Sequence, residues 1–169
     1  MKETRIFSLV LIPTIGQYVV SLEDVNGNRL IPILIGLSEG NAIVLQLQGE
    51  KTPRPMTHDL MANMLKEFGL HVEKITITDL KDNTYFAEIE IKDGDKSYKI
   101  DSRPSDAMAL AVRTNSPIFV DDKVFEKCPV INKPITEEEV EKFKDDLKRL
   151  GPEDFFKKFE EEGDKDKPT

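Results

Sequence analysis

The chain has 169 residues, 38% hydrophobic and 33% charged, with 32 acidic against 24 basic side chains and a net charge of −8; that is room for one core with an appendage rather than two full domains. The acidic balance opposes nonspecific attraction to phosphate backbones, so a nucleic-acid role needs a local basic patch or bridging metal ions. No apolar run approaches the roughly 18 residues of a membrane span, the first residues carry no signal-like core, and the lone Cys128 excludes an intrachain disulfide, which predicts a reducing, cytoplasmic setting. Abundant Lys and Glu beside one Cys fit a thermophile.

Residues 4–12 are β-branched and apolar enough for a strand, punctuated by Pro13 and Gly16. A second strand covers 17–23. Asn26-Gly27 is a hairpin signal, and Arg29 to Ile35 returns as a third strand. Pro32 lacks an N–H, which predicts an edge position or a bulge there. Ser38 is the expected N-cap of a helix running to about Gln48, with Gly49 as its stop. Pro53 and Pro55 make 50–56 an extended loop. Thr57 caps the next helix, in which Leu60, Met61, Met64, Leu65 and Phe68 recur at helical spacing before Gly69.

Val72 to Thr78 alternates as a half-buried strand, and Tyr85, Ala87, Ile89 and Ile91 share one face of the next. Tyr98 and Ile100 continue the pattern after the Asp93-Gly94-Asp95 turn. The result is an antiparallel meander whose outer face carries Glu88, Glu90 and Lys92 opposite Lys99 and Asp101. A helix over 102–114, a short buried strand at 117–120 and a helical turn at 121–127 follow. Thr136-Glu137-Glu138-Glu139 is a capping box. Val140, Phe143, Leu147 and Leu150 form one apolar stripe, and Phe155, Phe156 and Phe159 a second short amphipathic helix. The expected fold is α+β: mostly antiparallel sheet or sheets with packed helices over 1–130, a helical extension over 131–162 and a disordered tail over 163–169.

Phosphate loops, paired-cysteine zinc sites and H-E-x-x-H are all absent. Two segments concentrate reactive groups. In Arg54-Pro55-Met56-Thr57-His58-Asp59, the histidine falls in a helix first turn, where unpaired N–H groups attract phosphate and favour neutral imidazole. It is a candidate base or metal ligand, or merely completes the helix start. In the 101–113 stretch, Arg103, Asp106 and Arg113 project from one side of a helix, as an ion-pair latch or as the wall of a site. Glu39 lies in another helix first turn, where dipole compensation is the plain explanation. Glu88, Glu90 and Asp101 present oxygen ligands suited to Mg²⁺ or Mn²⁺, or a solvated sheet face.

Several of these segments together resemble the bifunctional nuclease family. They are Leu30 to Gly36, Glu39 with Ala42-Ile43, Arg54 to Leu60, Ile77-Thr78-Asp79-Leu80, Ser102 to Ala107 continuing through Ala111 and Arg113, and Pro117 to Val120. The likeness spans roughly 5–128 in order and with consistent spacing. The 135–160 segment is similar to a helical extension of some bacterial members. The resemblance implies an α+β domain and, as in plant members, nuclease activity on RNA and DNA.

Chemistry and resemblance meet at the same positions. Cleaving a phosphodiester needs an activated water or hydroxyl, neutralised phosphoryl oxygens and help for the leaving oxygen. The expected catalytic residues are His58, Asp59 and Asp106. Arg54, Arg103 and Arg113 are the expected phosphate contacts, and Asp59, Asp106 and Glu39 the expected ligands of a divalent Mg²⁺ or Mn²⁺ ion. A competing reading is a non-catalytic, oligomeric binding module, a homodimer by preference, whose motif residues form a latch or ligand site. The apolar stripes within 136–159 would then serve a protein partner or second subunit.

Overall fold

The computed structural model describes residues 1–129, 131–151, 153, 154 and 157. One eight-stranded sheet organises them: β1 (Lys2–Ile12), β2 (Gln17–Asp24), β3 (Arg29–Gly36), β4 (His71–Lys81), β5 (Thr84–Asp93), β6 (Lys96–Ser102), β7 (Ile118–Val120) and β8 (Ile131–Asn132). Their spatial order is β6-β5-β4-β7-β1-β2-β3-β8. Two local meanders, β1-β2-β3 and β4-β5-β6, are joined by β7, which runs antiparallel to β1 and parallel to β4. All other pairings between neighbours are antiparallel.

Turn chemistry explains the meanders. Asp82 and Asn83 both adopt positive φ in the β4–β5 turn, the backbone twist that a two-residue hairpin needs. Pro32 does sit on a free edge. β8 pairs with β3 only at Arg29 and Leu30, so the missing Pro32 N–H costs no ladder bond.

Alternation within each strand feeds two cores. On one face Val20, Leu22, Ile31, Ile33, Ile75, Ile77 and Ile89 pack against Ile43 of helix α1 (Leu37–Leu47) and Met108 and Leu110 of helix α3 (Pro104–Thr114). Helix α2 (Thr57–Glu67) lies against α3 through Met61, Ala62 and Leu65. Its other side leaves Met56, Leu60, Met64 and Phe68 exposed. Helix α4 (Asp122–Lys127) contributes Val124 and Phe125 to the same core. On the opposite face Val10, Ile12, Val19 and Leu30 are covered by Leu147 and Phe143 of helix α5 (Glu137–Lys148), with Leu150 just beyond it. Phe143, Leu147 and Leu150 of the stripe expected to meet a partner are therefore spent inside the chain, because the β1–β3 half of the sheet would otherwise present bare aliphatic side chains to water. The expected Phe155, Phe156 and Phe159 helix and the 163–169 tail lie outside the described residues.

Three helix starts differ from expectation. Gly36, not Ser38, is the N-cap of α1, and Leu37 is its first helical residue. Met56 is the N-cap of α2, with Thr57 inside the helix and the Asp59 carboxylate accepting the Met56 N–H at 2.9 Å. Ser102 ends β6, and α3 begins at Pro104 behind Arg103, since proline's fixed φ and missing N–H suit a first helical position. The meander's outer face is paired as a solvated surface: Lys99 meets Glu88 at 3.1 Å and Lys74 meets Glu90 at 3.4 Å.

Candidate active site

The starts of α1, α2 and α3 bring together residues far apart in sequence. His58, in the first turn of α2 and buried, places Nε2 2.9 Å from Asp106 Oδ1 in the first turn of α3. The other carboxylate oxygen of Asp106 accepts from Arg103 Nε at 2.7 Å. Arg103 Nη2 then donates to Glu39 Oε1 of α1 at 3.0 Å. A continuous relay results, Glu39–Arg103–Asp106–His58, assembled from three helices. Burial pushes the Asp106 carboxyl up, but the bonds from Arg103 and His58 outweigh it and hold the group below the usual carboxylate range. The bond to Asp106 correspondingly raises the Arg103 guanidinium.

This geometry sets the imidazole's tautomer. A neutral His58 donates from Nε2 to the carboxylate, which leaves Nδ1 as the lone-pair nitrogen. Orienting a base through a carboxylate at its other nitrogen is the arrangement general-base catalysis uses.

A second ion pair stands beside the first. Arg113 Nε donates to Asp59 Oδ1 at 2.6 Å, Nη1 to the Ala109 carbonyl at 2.8 Å and Nη2 to the Ala42 carbonyl at 3.0 Å. Its side chain is 6% exposed, against 66% for Arg103. Arg113 was expected to contact phosphate. Buried, with every guanidinium nitrogen engaged, it instead braces α1 and α2 onto α3. Asp59 was expected in catalysis and metal binding. One of its oxygens goes to Arg113 and the other to the Met56 N–H, and these bonds, the Met56 one foremost, keep its carboxyl low. Its work is capping and bracing. Arg54 is exposed in the loop before α2 and stands outside both networks. His71 is exposed at the start of β4, as a solvated surface residue would be.

The expected metal ligands Asp59, Asp106 and Glu39 do not form a cage. They are divided between the two ion-pair groups and face guanidinium or imidazole nitrogens. Among the described residues no group of three or more His, Cys, Asp or Glu side chains is placed to hold a metal ion. The three carboxylates do outnumber the two guanidiniums, so the cluster is one negative charge from balance when His58 is neutral.

Glu23, Asp24 and Asp79 are buried carboxylates to which the sequence pattern assigned no role, and Asp79 is the most heavily paired with lysines. Asp79 sits at a bulge in β4 and meets Lys127 at 2.6 Å, Lys81 at 3.3 Å and Lys123 at 3.6 Å. The Lys127 bond leads in driving its carboxyl far below the usual range. It pins α4 to the sheet. Its signal was an aspartate interrupting the apolar alternation of 75–80.

Similarity to known proteins follows the same elements. The family model described as the bifunctional nuclease domain matches residues 20–133, from β2 to just past β8, including every residue of both networks. The chain belongs to the bifunctional nuclease domain family. An uncharacterised protein of Mycobacterium tuberculosis is 35% identical over 164 residues, covering 92% of this chain and 98% of that protein. A protein named bifunctional nuclease 2 in Arabidopsis thaliana is 32% identical over 105 residues, which is 60% of this chain and 32% of the plant protein. Bifunctional nuclease 1 of Oryza sativa subsp. japonica is 25% identical over 109 residues, 63% of this chain and 33% of its own length. This chain thus matches about a third of the length of each of these plant proteins. The described residues contain no helix long and apolar enough to cross a membrane.

Proposed function

We propose that this bifunctional nuclease domain hydrolyses phosphodiester bonds of nucleic acid, RNA or DNA, at the Glu39–Arg103–Asp106–His58 relay. The observation that carries the reading is the 2.9 Å His58–Asp106 contact, buttressed by an exposed arginine. Water is the nucleophile, since DNA offers no 2′-hydroxyl. His58 takes the water proton at Nδ1 while Asp106 stabilises the imidazolium. The oxygen attacks phosphorus, and the bond to the leaving sugar oxygen breaks. The proton held by His58 returns to that oxygen, so the site ends as it began. Arg103 spends two of its five N–H donors, on Asp106 and Glu39. The remaining three are left for phosphoryl oxygens as negative charge develops. No step is assigned to a divalent ion, because the carboxylates are committed to arginine and histidine.

The deciding experiment incubates the full chain with labelled single-stranded RNA and DNA in Mg²⁺, Mn²⁺ or EDTA, beside Asp106→Asn and His58→Gln. Cleavage that co-purifies with the wild type and is lost in both variants supports the reading. Cleavage that survives both removes the relay from the mechanism. Dependence on Mg²⁺ or Mn²⁺ would return the metal to the site.

A second reading, a braced binding module without catalysis, is favoured by Arg113, which behaves as a latch. On that reading no condition yields cleavage, and Asp106→Asn lowers the melting temperature.

A further inference from the structure

Beside Arg103 lies a cleft of about 300 Å³, bounded by the end of β3, the β4–β5 turn at Asn83 and the start of α3. Its size is at the lower end of small-molecule sites, so it admits one small ligand and no folded partner. Ile33, Ile35, Tyr85 and Pro104 make much of its wall apolar, while Asn83 and Arg103 are its amide and its cation. The chain carries 32 acidic residues, yet none of the described residues lining this cleft is acidic. Glu39 lies against Gly36 and, with Asp106, already pairs with Arg103, so an anion here would be held by the N–H donors that Arg103 keeps in reserve, while the apolar walls suit a flat body.

Two further observations point to the same ligand. The N-cap residues of α1 and α3, Gly36 and Arg103, both line the cleft, and Arg103 makes no side-chain capping bond. The Ser105 and Asp106 N–H groups have no partner within α3, as at any helix start, and that end of the helix is positive. Independently, Tyr85 lines the cleft, is only 9% exposed, and keeps a buried hydroxyl with no hydrogen-bond partner among the described residues. Burial first, and the Cys128 charge second, push the phenol upward, so it remains a protonated donor. A buried donor without an acceptor is what a missing ligand or an ordered water leaves behind.

We propose that this cleft is a mononucleotide subsite, taking a nucleoside against Ile35, Tyr85 and Pro104 and its phosphate at Arg103 and the start of α3. Asn83 offers the amide that pairs with a base edge. The proposal rests on nucleic acid being the substrate of the adjoining relay. It then places the unit next to the scissile bond in the cleft beside Arg103.

The test is calorimetry on the full chain with the 5′- and 3′-monophosphates of adenosine and cytidine. Inorganic phosphate and the free nucleosides serve as separate probes. At least one monophosphate should bind about tenfold or more tighter than phosphate or nucleoside alone, as joined contacts require. Tyr85→Phe should weaken it roughly fivefold without lowering the melting temperature, because the hydroxyl it removes is unpaired in the free protein. Arg103→Gln should reduce monophosphate binding to the level of the nucleoside. A monophosphate that binds no tighter than inorganic phosphate overturns the subsite, as does a Tyr85→Phe variant with unchanged affinity. The cleavage assay separates the two readings. Monophosphate binding without cleavage in any metal keeps the subsite and ends the nuclease assignment, whereas cleavage without such binding does the reverse.

Discussion

Arg103, the N-cap of α3, and Arg113 in its last turn are ten residues apart, each paired with a carboxylate at under 3 Å, and they have opposite fates. Arg113 is buried and divides its nitrogens among Asp59 and two backbone carbonyls. Arg103 is two-thirds exposed and keeps donors in reserve. The difference is set by position. Arg113 is in the last turn of α3, under α1 and α2, where carbonyls are at hand. Arg103 precedes the first turn, at the mouth where three helix starts converge. A guanidinium whose donors are all spent holds structure; one with donors left can hold a ligand.

The sharpest way to break that comparison is to disable the relay and leave the brace. Asp106→Asn keeps the shape of the carboxylate and removes its charge. We expect nuclease kcat/KM to fall by about 10² to 10⁴, the usual worth of an oriented acid–base group, measured by initial rates on a labelled single strand. Arg103→Gln should also lower the rate, with a stability change within about 1 kcal/mol, since its pairs are exposed. The reverse experiment is Arg113→Met. Arg113 is buried but Asp59 is partly exposed, so losing this pair and the two carbonyl bonds costs about 1–3 kcal/mol, read as a lower denaturation midpoint, while the molecules that remain folded retain their rate. A rate loss in Arg113→Met as deep as that in Asp106→Asn would erase the distinction.

Gly40→Ala probes both regions together. A Cβ there would press inside van der Waals contact of the Tyr18 ring, at carbons that cannot swing away cheaply. Overpacking of this kind costs about 1–3 kcal/mol. It also shifts α1, which supplies Glu39 to one network and the Ala42 carbonyl to the other. Thermal melting and cleavage rate should therefore decline together, unlike in either arginine variant.

How far the sequence foretold these regions depends on the range of the interactions involved. Hairpins, strand faces and helix stripes were legible because period and turn residues are local: Asn26-Gly27, the alternation of 85–91, and the spacing of Met61 and Leu65. The insertion of β7 between β1 and β4 was not legible, because only distant strands define that slot. Charge and helix-start chemistry marked the 54–59 and 101–113 segments separately, and the family resemblance is what implied their pairing. The division of labour was not legible. Arg103, Asp106 and Arg113 read as one stripe, whereas Arg103 lies outside the helix and Arg113 turns to a different carboxylate. Burial separates them, and burial is a property of the packed chain. Phe143, Leu147 and Leu150 show the same limit, since an apolar stripe looks alike whether its partner is another molecule or the chain's own sheet.

The smallest expected effect is on acid stability, and it compares the two carboxylates directly. Both Asp59 and Asp106 are held below the ordinary value of 3.8 in the folded protein, Asp59 chiefly by the Met56 N–H and Arg113, and Asp106 by Arg103 and His58 against its burial. A carboxyl lowered on folding contributes stability that is fully present above its unfolded value. That stability is lost as pH falls from there through the depressed folded value. The wild type should thus weaken below about pH 4, the onset set by unfolded carboxyls. Arg113→Met removes one of the influences that hold Asp59 low, so its urea midpoint should fall less steeply over that window than the wild type's. Asp106→Asn should flatten the same window through the other carboxylate. Because the two groups answer to different arginines, the double variant should lose about the sum of the two slopes. Urea titrations at closely spaced pH values measure this, and a double-variant slope equal to either single one would show that the relay and the brace titrate as one network.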